Sequence, residues 1–203
     1  MKTHVYVDGF NLYYGALRGT GFKWLDIAEM CRLLLPAHDI RQVTYFTARV
    51  NRRPVDPDQP LRQLLYLRAL GTIPNIRIVY GHFLATRVTM PLAGGPPGTR
   101  QTARVIKTEE KGSDVNLATH LLWDGVRERY EAAVLVTNDS DLLEPVRIVR
   151  HELGRTVGIL NPHRNPSRVL LRHATFVKSI RKGVLAASQF PAVLHDAHGR
   201  FTK

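Results

Sequence analysis

The sequence predicts an α/β fold in which a mostly parallel central sheet carries helices on both faces. Three observations point there. Short β-branched and aromatic runs alternate with longer segments of helical apolar spacing. Several of these segments stop at glycine or proline, as element ends do. The composition is that of a globular chain, with 44% apolar and 23% charged residues. At 203 residues the chain fits one domain and is long enough to bury a core.

The elements follow in order. His4 to Asp8 (H-V-Y-V-D) reads as a short strand. Leu25 to Leu35 carries apolar residues at helical spacing and stops at Pro36. Gln42 to Val50 is β-branched and aromatic, hence a strand. Leu61 to Leu70 is helical, with Gly71 as its stop. Ile76 to Phe83 is a single strand on this reading. Ser113 to about Trp123 is a helix, Ala133 to Val136 a strand, Val146 to Leu153 a helix ended by Gly154, and Thr156 to Leu160 a strand. This β-α repetition builds parallel pairs joined by crossover helices.

Two turn-rich stretches interrupt the pattern, at 51–60 and 91–100. The second lies between two strand-like runs, R-V-T-M and Q-T-A-R-V-I-K, and predicts a β-hairpin arm. The tail after Leu185 is weakly periodic and is expected to pack loosely. The domain expectation is residues 1–162 as one unit, with 163–203 as an extension packed on it.

No run approaches the ~18 apolar residues of a membrane span. The opening M-K-T-H runs straight into a strand and does not read as a signal peptide. The single cysteine, Cys31, lies in a helical apolar stretch and reads as a small core residue. A reducing cytoplasm is the expected location. Charge is more specific. Twenty-nine Lys and Arg stand against 17 acids, a formal +12, and a field of that sign attracts nucleic acid.

Within this basic chain several acids fall at one predicted sheet edge. In an open parallel sheet, ligands bind beyond the carboxyl ends of the strands. Asp8 ends the first strand. Asp139 and Asp141 follow the strand A-V-L-V, and Pro145 keeps the next helix from starting much earlier than Asp141. Asp114 lies in the first turn of the helix that leads to that strand, with Glu109 and Glu110 just ahead. Asp114, Asp139 or Asp141 alone is explained by helix capping; Asp8 is harder to dismiss, because a buried strand would rather continue with an apolar residue. Together they favour a hard divalent cation, Mg²⁺ or Mn²⁺, which neutralises carboxylates that otherwise repel.

Three motifs, V-Y-V-D-G-F-N-L-Y-Y-G, K-G-S-D-V-N-L-A and V-L-V-T-N-D-S-D-L, resemble in order and spacing those of the NYN domains, PIN-like nucleases of the bacterial kind. The resemblance implies a Rossmann-like PIN/NYN fold. It also implies a Mg²⁺- or Mn²⁺-dependent ribonuclease, expected to act as an endonuclease. Carried over, the catalytic set is Asp8, Asn11, Asp114, Asp139 and Asp141, with the four aspartates as metal ligands. RNA is expected over DNA, and a homodimer fits the habits of PIN-like relatives. One departure stands out. Many NYN domains have an aspartate where this chain has His120. That ring either packs or approaches substrate phosphate, with Asp124 as a candidate hydrogen-bond partner. The role of Glu110 is left open in the same way.

Substrate grip is expected from Lys107, Lys111, Arg49, Arg52, Arg53, Arg100 and Arg104, with Arg164, Arg168 and Arg172 after the last strand. Tyr13 and Tyr14 either stack a base or pack the first helix. Two other functions compete. One is an RNA-binding or toxin-like regulatory module with little catalysis. The other is an aspartate-dependent phosphatase-like hydrolase, against which stands Phe10 where a second acid belongs. A dinucleotide-binding oxidoreductase is disfavoured, because D-G-F-N-L-Y-Y-G lacks the G-x-G-x-x-G turn.

Overall fold

The computed structural model describes residues 1–52, 54–93 and 101–203. Six strands form one parallel sheet: β1 (Lys2–Asp8), β2 (Asp39–Thr47), β3 (Ile76–Tyr80), β6 (Ala132–Val136), β7 (Thr156–Asn161) and β8 (Phe176–Ser179). Their order across the sheet is β3-β2-β1-β6-β7-β8, and every neighbouring pair is parallel. The chain therefore winds outward from β1 in one direction and then restarts on its other side with β6. That reversal opens a crevice between the carboxyl ends of β1 and β6.

Alternation along the central strands sends side chains into two layers. Val5, Val7, Val134 and Val136 face one side and pack with α2 (Ile27–Leu34) and α3 (Gln59–Leu70). Tyr6, Ala133 and Leu135 face the other and pack with α4 (Ser113–Val126) and α5 (Leu143–Arg147). All five residues of β6 are buried, as a central parallel strand covered on both faces requires. Helices on both faces of a parallel sheet are what the sequence predicts.

Several boundaries differ from the sequence reading. The run Ile76 to Phe83 is not one strand. It breaks at Gly81, where a Cβ would meet Glu110 Oε1 and the Lys111 carbonyl at 2.5 Å. Beyond the break, β4 (His82–Pro91) leaves the sheet and pairs antiparallel with β5 (Thr102–Lys111). This is the hairpin arm the sequence predicts; residues 94–100 of its tip lie outside the described residues. The helix after β6 begins earlier than Val146, with a 3₁₀ turn at Ser140–Leu142 leading into α5 and a π turn at Ile148–Glu152. Pro145 sits in the first turn of α5, where its missing N–H costs nothing. Gly71 ends α3 with φ −63°, so that stop does not use the left-handed region.

The tail does not pack loosely. After α6 (Arg168–His173), β8 and α7 (Lys182–Ala187), strands β9 (Val193–Asp196) and β10 (Gly199–Thr202) form a hairpin. It sends Leu194 and Phe201 into the same core as Phe190 and Leu185. Arg68 of α3 closes the contact with two hydrogen bonds to Asp196, at 2.6 and 2.8 Å, and stacks 4.1 Å over Phe201. Cys31 is a free, buried core residue, as expected, and burial pushes its thiol up to about 12.

Candidate metal centre at the carboxyl edge

Asp8 stands at the junction of β1 and α1 (Gly9–Leu12) and is 5% exposed. The chain turns at Gly9, where a Cβ would meet the Tyr45 ring and the Phe46 carbonyl at 2.6 and 2.7 Å. Only glycine lets the backbone pass that close to β2. Asp8 caps the short helix: its Oδ1 accepts the Asn11 N–H at 2.9 Å. Its Oδ2 accepts the Thr137 hydroxyl at 3.2 Å.

Thr137 follows the all-apolar β6 and buries its hydroxyl. That hydroxyl also accepts the Asp139 N–H at 3.1 Å. Asp139 in turn caps the 3₁₀ turn, its Oδ1 accepting the Asp141 N–H at 3.0 Å. Asp114 comes from the opposite direction. Gly112, with φ +94°, adopts the left-handed turn that starts α4. Glu110 accepts the Ser113 N–H and hydroxyl, at 3.1 and 2.7 Å, and so caps that helix from outside. Asp114 is thus left without a capping duty and points its carboxylate at the crevice.

Asp8, Asp114 and Asp139 each offer a carboxylate oxygen, and these oxygens lie within 4.8 Å of one another. None of the three enters an ion pair among the described residues, although the chain carries +12. The electrostatics record that conflict. Burial drives the Asp8 carboxyl up to about 6, and the charges of Asp114 and Asp139 add to it, while the bonds from Asn11 and Thr137 oppose. Asp114 is raised by burial and by Asp139, Glu110 and Asp141. Three hard oxygen donors that repel one another suit a small divalent cation.

The other expected site residues are placed less closely. Asp141 is exposed and lies outside the trio. The Asn11 Oδ1 accepts the Asn138 N–H at 2.9 Å. Glu110 commits both oxygens to Ser113. His120 packs its ring 5.7 Å from that of Phe46, and burial and Arg77 hold it below the ordinary imidazole range. Asp124 is not bonded to it. That carboxylate is taken by the Tyr6 hydroxyl and Arg129 Nη1, each at 2.9 Å, with His4 Nδ1 at 3.6 Å.

The cations divide as well. Lys107 and Lys111 are both held by Glu109, at 2.6 and 3.6 Å. The Arg49 guanidinium lies 5.2 Å over the Tyr80 ring. Arg52, Arg104, Arg164, Arg168 and Arg172 are exposed, and Arg53 and Arg100 lie outside the described residues. Tyr13 is half-buried against the core, and Tyr14 is exposed with Arg18 over its ring at 5.4 Å.

Sequence reading missed Thr137 and Asn138. Thr137 joins two of the three acids. Asn138 Oδ1 accepts the Ser167 N–H at 2.6 Å and its Nδ2 donates to the Asn165 carbonyl at 3.0 Å, tying the loop after β7 to the site. A polar pair at the end of an otherwise apolar strand was the available signal.

The NYN domain profile matches residues 2–180. The 6-hydroxy-3-succinoylpyridine 3-monooxygenase HspA of Pseudomonas putida is 30% identical over 223 residues, spanning 96% of this chain and 72% of that protein. Among solved structures, a protein of unknown function from Vibrio parahaemolyticus superposes with a TM-score of 0.57 at 17% identity. It covers 89% of this chain and 93% of its own. That likeness concerns the fold.

Proposed function

The chain belongs to the NYN domain family, and on that premise we propose that it is a metal-dependent ribonuclease acting as an endonuclease. The observation that carries this reading is the trio itself: Asp8, Asp114 and Asp139 from three separate elements, converging with no ion-pair partner among the described residues. RNA is proposed over DNA from the family, and Mg²⁺ or Mn²⁺ from the all-carboxylate donor set.

Asp8, Asp114 and Asp139 would hold the ion. When bound, such an ion lowers the pKa of a coordinated water and stabilises charge on a scissile phosphate. Thr137 fixes Asp8 and the Asp139 backbone relative to each other. Asn11 fixes the backbone one residue earlier. Asp141, exposed beside the trio, would orient an attacking water. No side-chain nucleophile is required: water would attack phosphorus and the P–O3′ bond would break with the 3′-oxygen leaving, so the products would carry 5′-phosphate and 3′-hydroxyl ends.

The name of the Pseudomonas relative supplies a second reading, a monooxygenase acting on a succinoylpyridine. Against it stands the first strand-to-helix turn, whose D-G-F-N lacks the glycines for a bound dinucleotide.

The test is cleavage of end-labelled single-stranded RNA and DNA with Mn²⁺, Mg²⁺ or EDTA, beside Asp139→Asn. Metal-dependent cutting of RNA that the variant loses is the expected result. The same preparation is assayed for oxygen consumption with 6-hydroxy-3-succinoylpyridine and a reduced nicotinamide. Turnover there, with no cutting under any metal, sinks the nuclease reading. RNA binding without cutting moves the chain to the binding-module class.

A further inference from the structure

Among the described residues the arm pairs with no other strand, and its register sorts its side chains onto two faces. One face carries Leu84 opposite Glu109, Thr86 opposite Lys107, Val88 opposite Val105 and Met90 opposite Ala103. Its lysine is neutralised by Glu109. The second face carries Phe83 opposite Glu110, Ala85 opposite Thr108, Arg87 opposite Ile106 and Thr89 opposite Arg104. At its base Phe83 meets Phe10 edge-on at 5.7 Å, two residues past Asp8, while Glu110 caps the helix that carries Asp114. The second face is therefore the one continuous with the acidic crevice.

Arg87 and Arg104 are diagonal neighbours on that face, a relation that brings Cα atoms to roughly 7–8 Å. Both are exposed, and neither enters an ion pair among the described residues. Ile106 stands beside them, 71% exposed. An unpaired cation pair next to an uncovered aliphatic side chain matches a single strand, which offers phosphates together with unstacked base faces. We propose that Arg87, Arg104 and Ile106 form an outlying contact for single-stranded RNA. It would hold the chain about 14 Å along the arm from its base, four residues at strand rise. This rests on the nuclease reading for its substrate class. It places the phosphate grip on Arg87 and Arg104 in preference to the paired lysines.

The experiment measures binding of a labelled single-stranded RNA about 15 nucleotides long by anisotropy, in EDTA, across a salt series. Wild type is compared with R87A/R104A and with R32A/R41A. The second pair changes net charge equally, but Arg41 lies on β2 near its amino end and Arg32 on the helix that leads there. R87A/R104A should weaken binding and make the log–log salt slope shallower by about 1.4, at about 0.7 per phosphate lost. R32A/R41A should keep the wild-type slope, and Ile106→Ser should weaken binding with the slope intact. Equal losses in the two double variants would show a bulk field and overturn the proposal. So would an unchanged slope in R87A/R104A, undetectable binding by wild type, or a duplex competing as well as the single strand. Because no metal is present, these outcomes are read independently of whether the protein cuts.

Discussion

The Asn11 carboxamide accepts the backbone N–H of Asn138 at 2.9 Å, across 127 positions of sequence. That bond joins the turn after β1 to the turn after β6, the two elements that deliver Asp8 and Asp139. Asn138 then passes the link to Asn165 and Ser167. Asn11 thus positions the loop that presents Asp139.

Removing that acceptor has a defined consequence. Asn11→Ala should lose about 1 kcal/mol of stability, the worth of one hydrogen bond. It should also weaken Mn²⁺ binding by about 10- to 100-fold, as outer-shell losses do. Asn11→Asp keeps an acceptor for Asn138 and should retain most of the stability. Thermal unfolding and a Mn²⁺ titration of both variants separate bracing from direct ligation. A direct ligand would lose metal affinity in Asn11→Ala with no change in unfolding.

Asp8 is held against its own preference. A carboxyl raised to about 6 in the folded chain corresponds to roughly 3 kcal/mol of destabilisation at neutral pH. Asp8→Asn should therefore stabilise the metal-free protein at pH 7.5 by about 1–2 kcal/mol, since asparagine caps a helix nearly as well. The same change should abolish tight metal binding. Denaturant unfolding in EDTA, beside Mn²⁺ calorimetry, checks both halves. A destabilised variant would mean that the Thr137 bond outweighs the buried charge.

The sign of the pH dependence follows. Between the unfolded value near 4 and the folded value near 6, the native Asp8 binds a proton that the unfolded chain does not. Stability of the metal-free protein should therefore rise as pH falls from 7 to 5. In Asp8→Asn that rise should be flattened. Protons and metal compete for the same oxygens, so the melting-point gain from Mn²⁺ should shrink over the same interval. Scanning calorimetry at four pH values, with and without metal, reads both trends. A pH-independent gain would place the ion away from Asp8.

The trio was legible because each acid sits at a point where local pattern fixes the chain. Asp8 ends a strand, Asp139 follows one, and Asp114 opens a helix. The hairpin arm was legible from a turn-rich stretch between two strand-like runs. What escaped depended on distant partners. Thr137 meets Asp8 across 129 positions; the polar pair after an apolar strand marks the place, but not the distant partner. The C-terminal hairpin escaped because its strands are four residues each and its turn lacks a strong signal. The Lys107–Glu109 pair was within reach, since alternate residues of a strand share a face.

Asp124 shows how a plausible local pairing is overridden. It lies four residues after His120, yet the buried Tyr6 hydroxyl and Arg129 take its oxygens. Burial works against its charge, but His4, Tyr6 and Arg129 together hold it at about 2. A depressed carboxyl contributes stability that is present above the unfolded value near 4 and lost as pH falls toward 2. The contribution is roughly 2 kcal/mol. Asp124→Ala should cost more, about 3 kcal/mol, because it also leaves the Tyr6 hydroxyl buried without an acceptor. Asp124→Asn should lie between, with a shallower acid-unfolding limb from pH 4 to 2. The pairing lies against β1 residues Tyr6 and His4, back from the strand end, so Mn²⁺ affinity should not move in either variant. Acid titration followed by circular dichroism, with a Mn²⁺ titration at pH 7.5, makes the check. A variant that loses metal affinity along with acid stability would show that this network, and not only the three strand-end turns, sets the geometry of the trio.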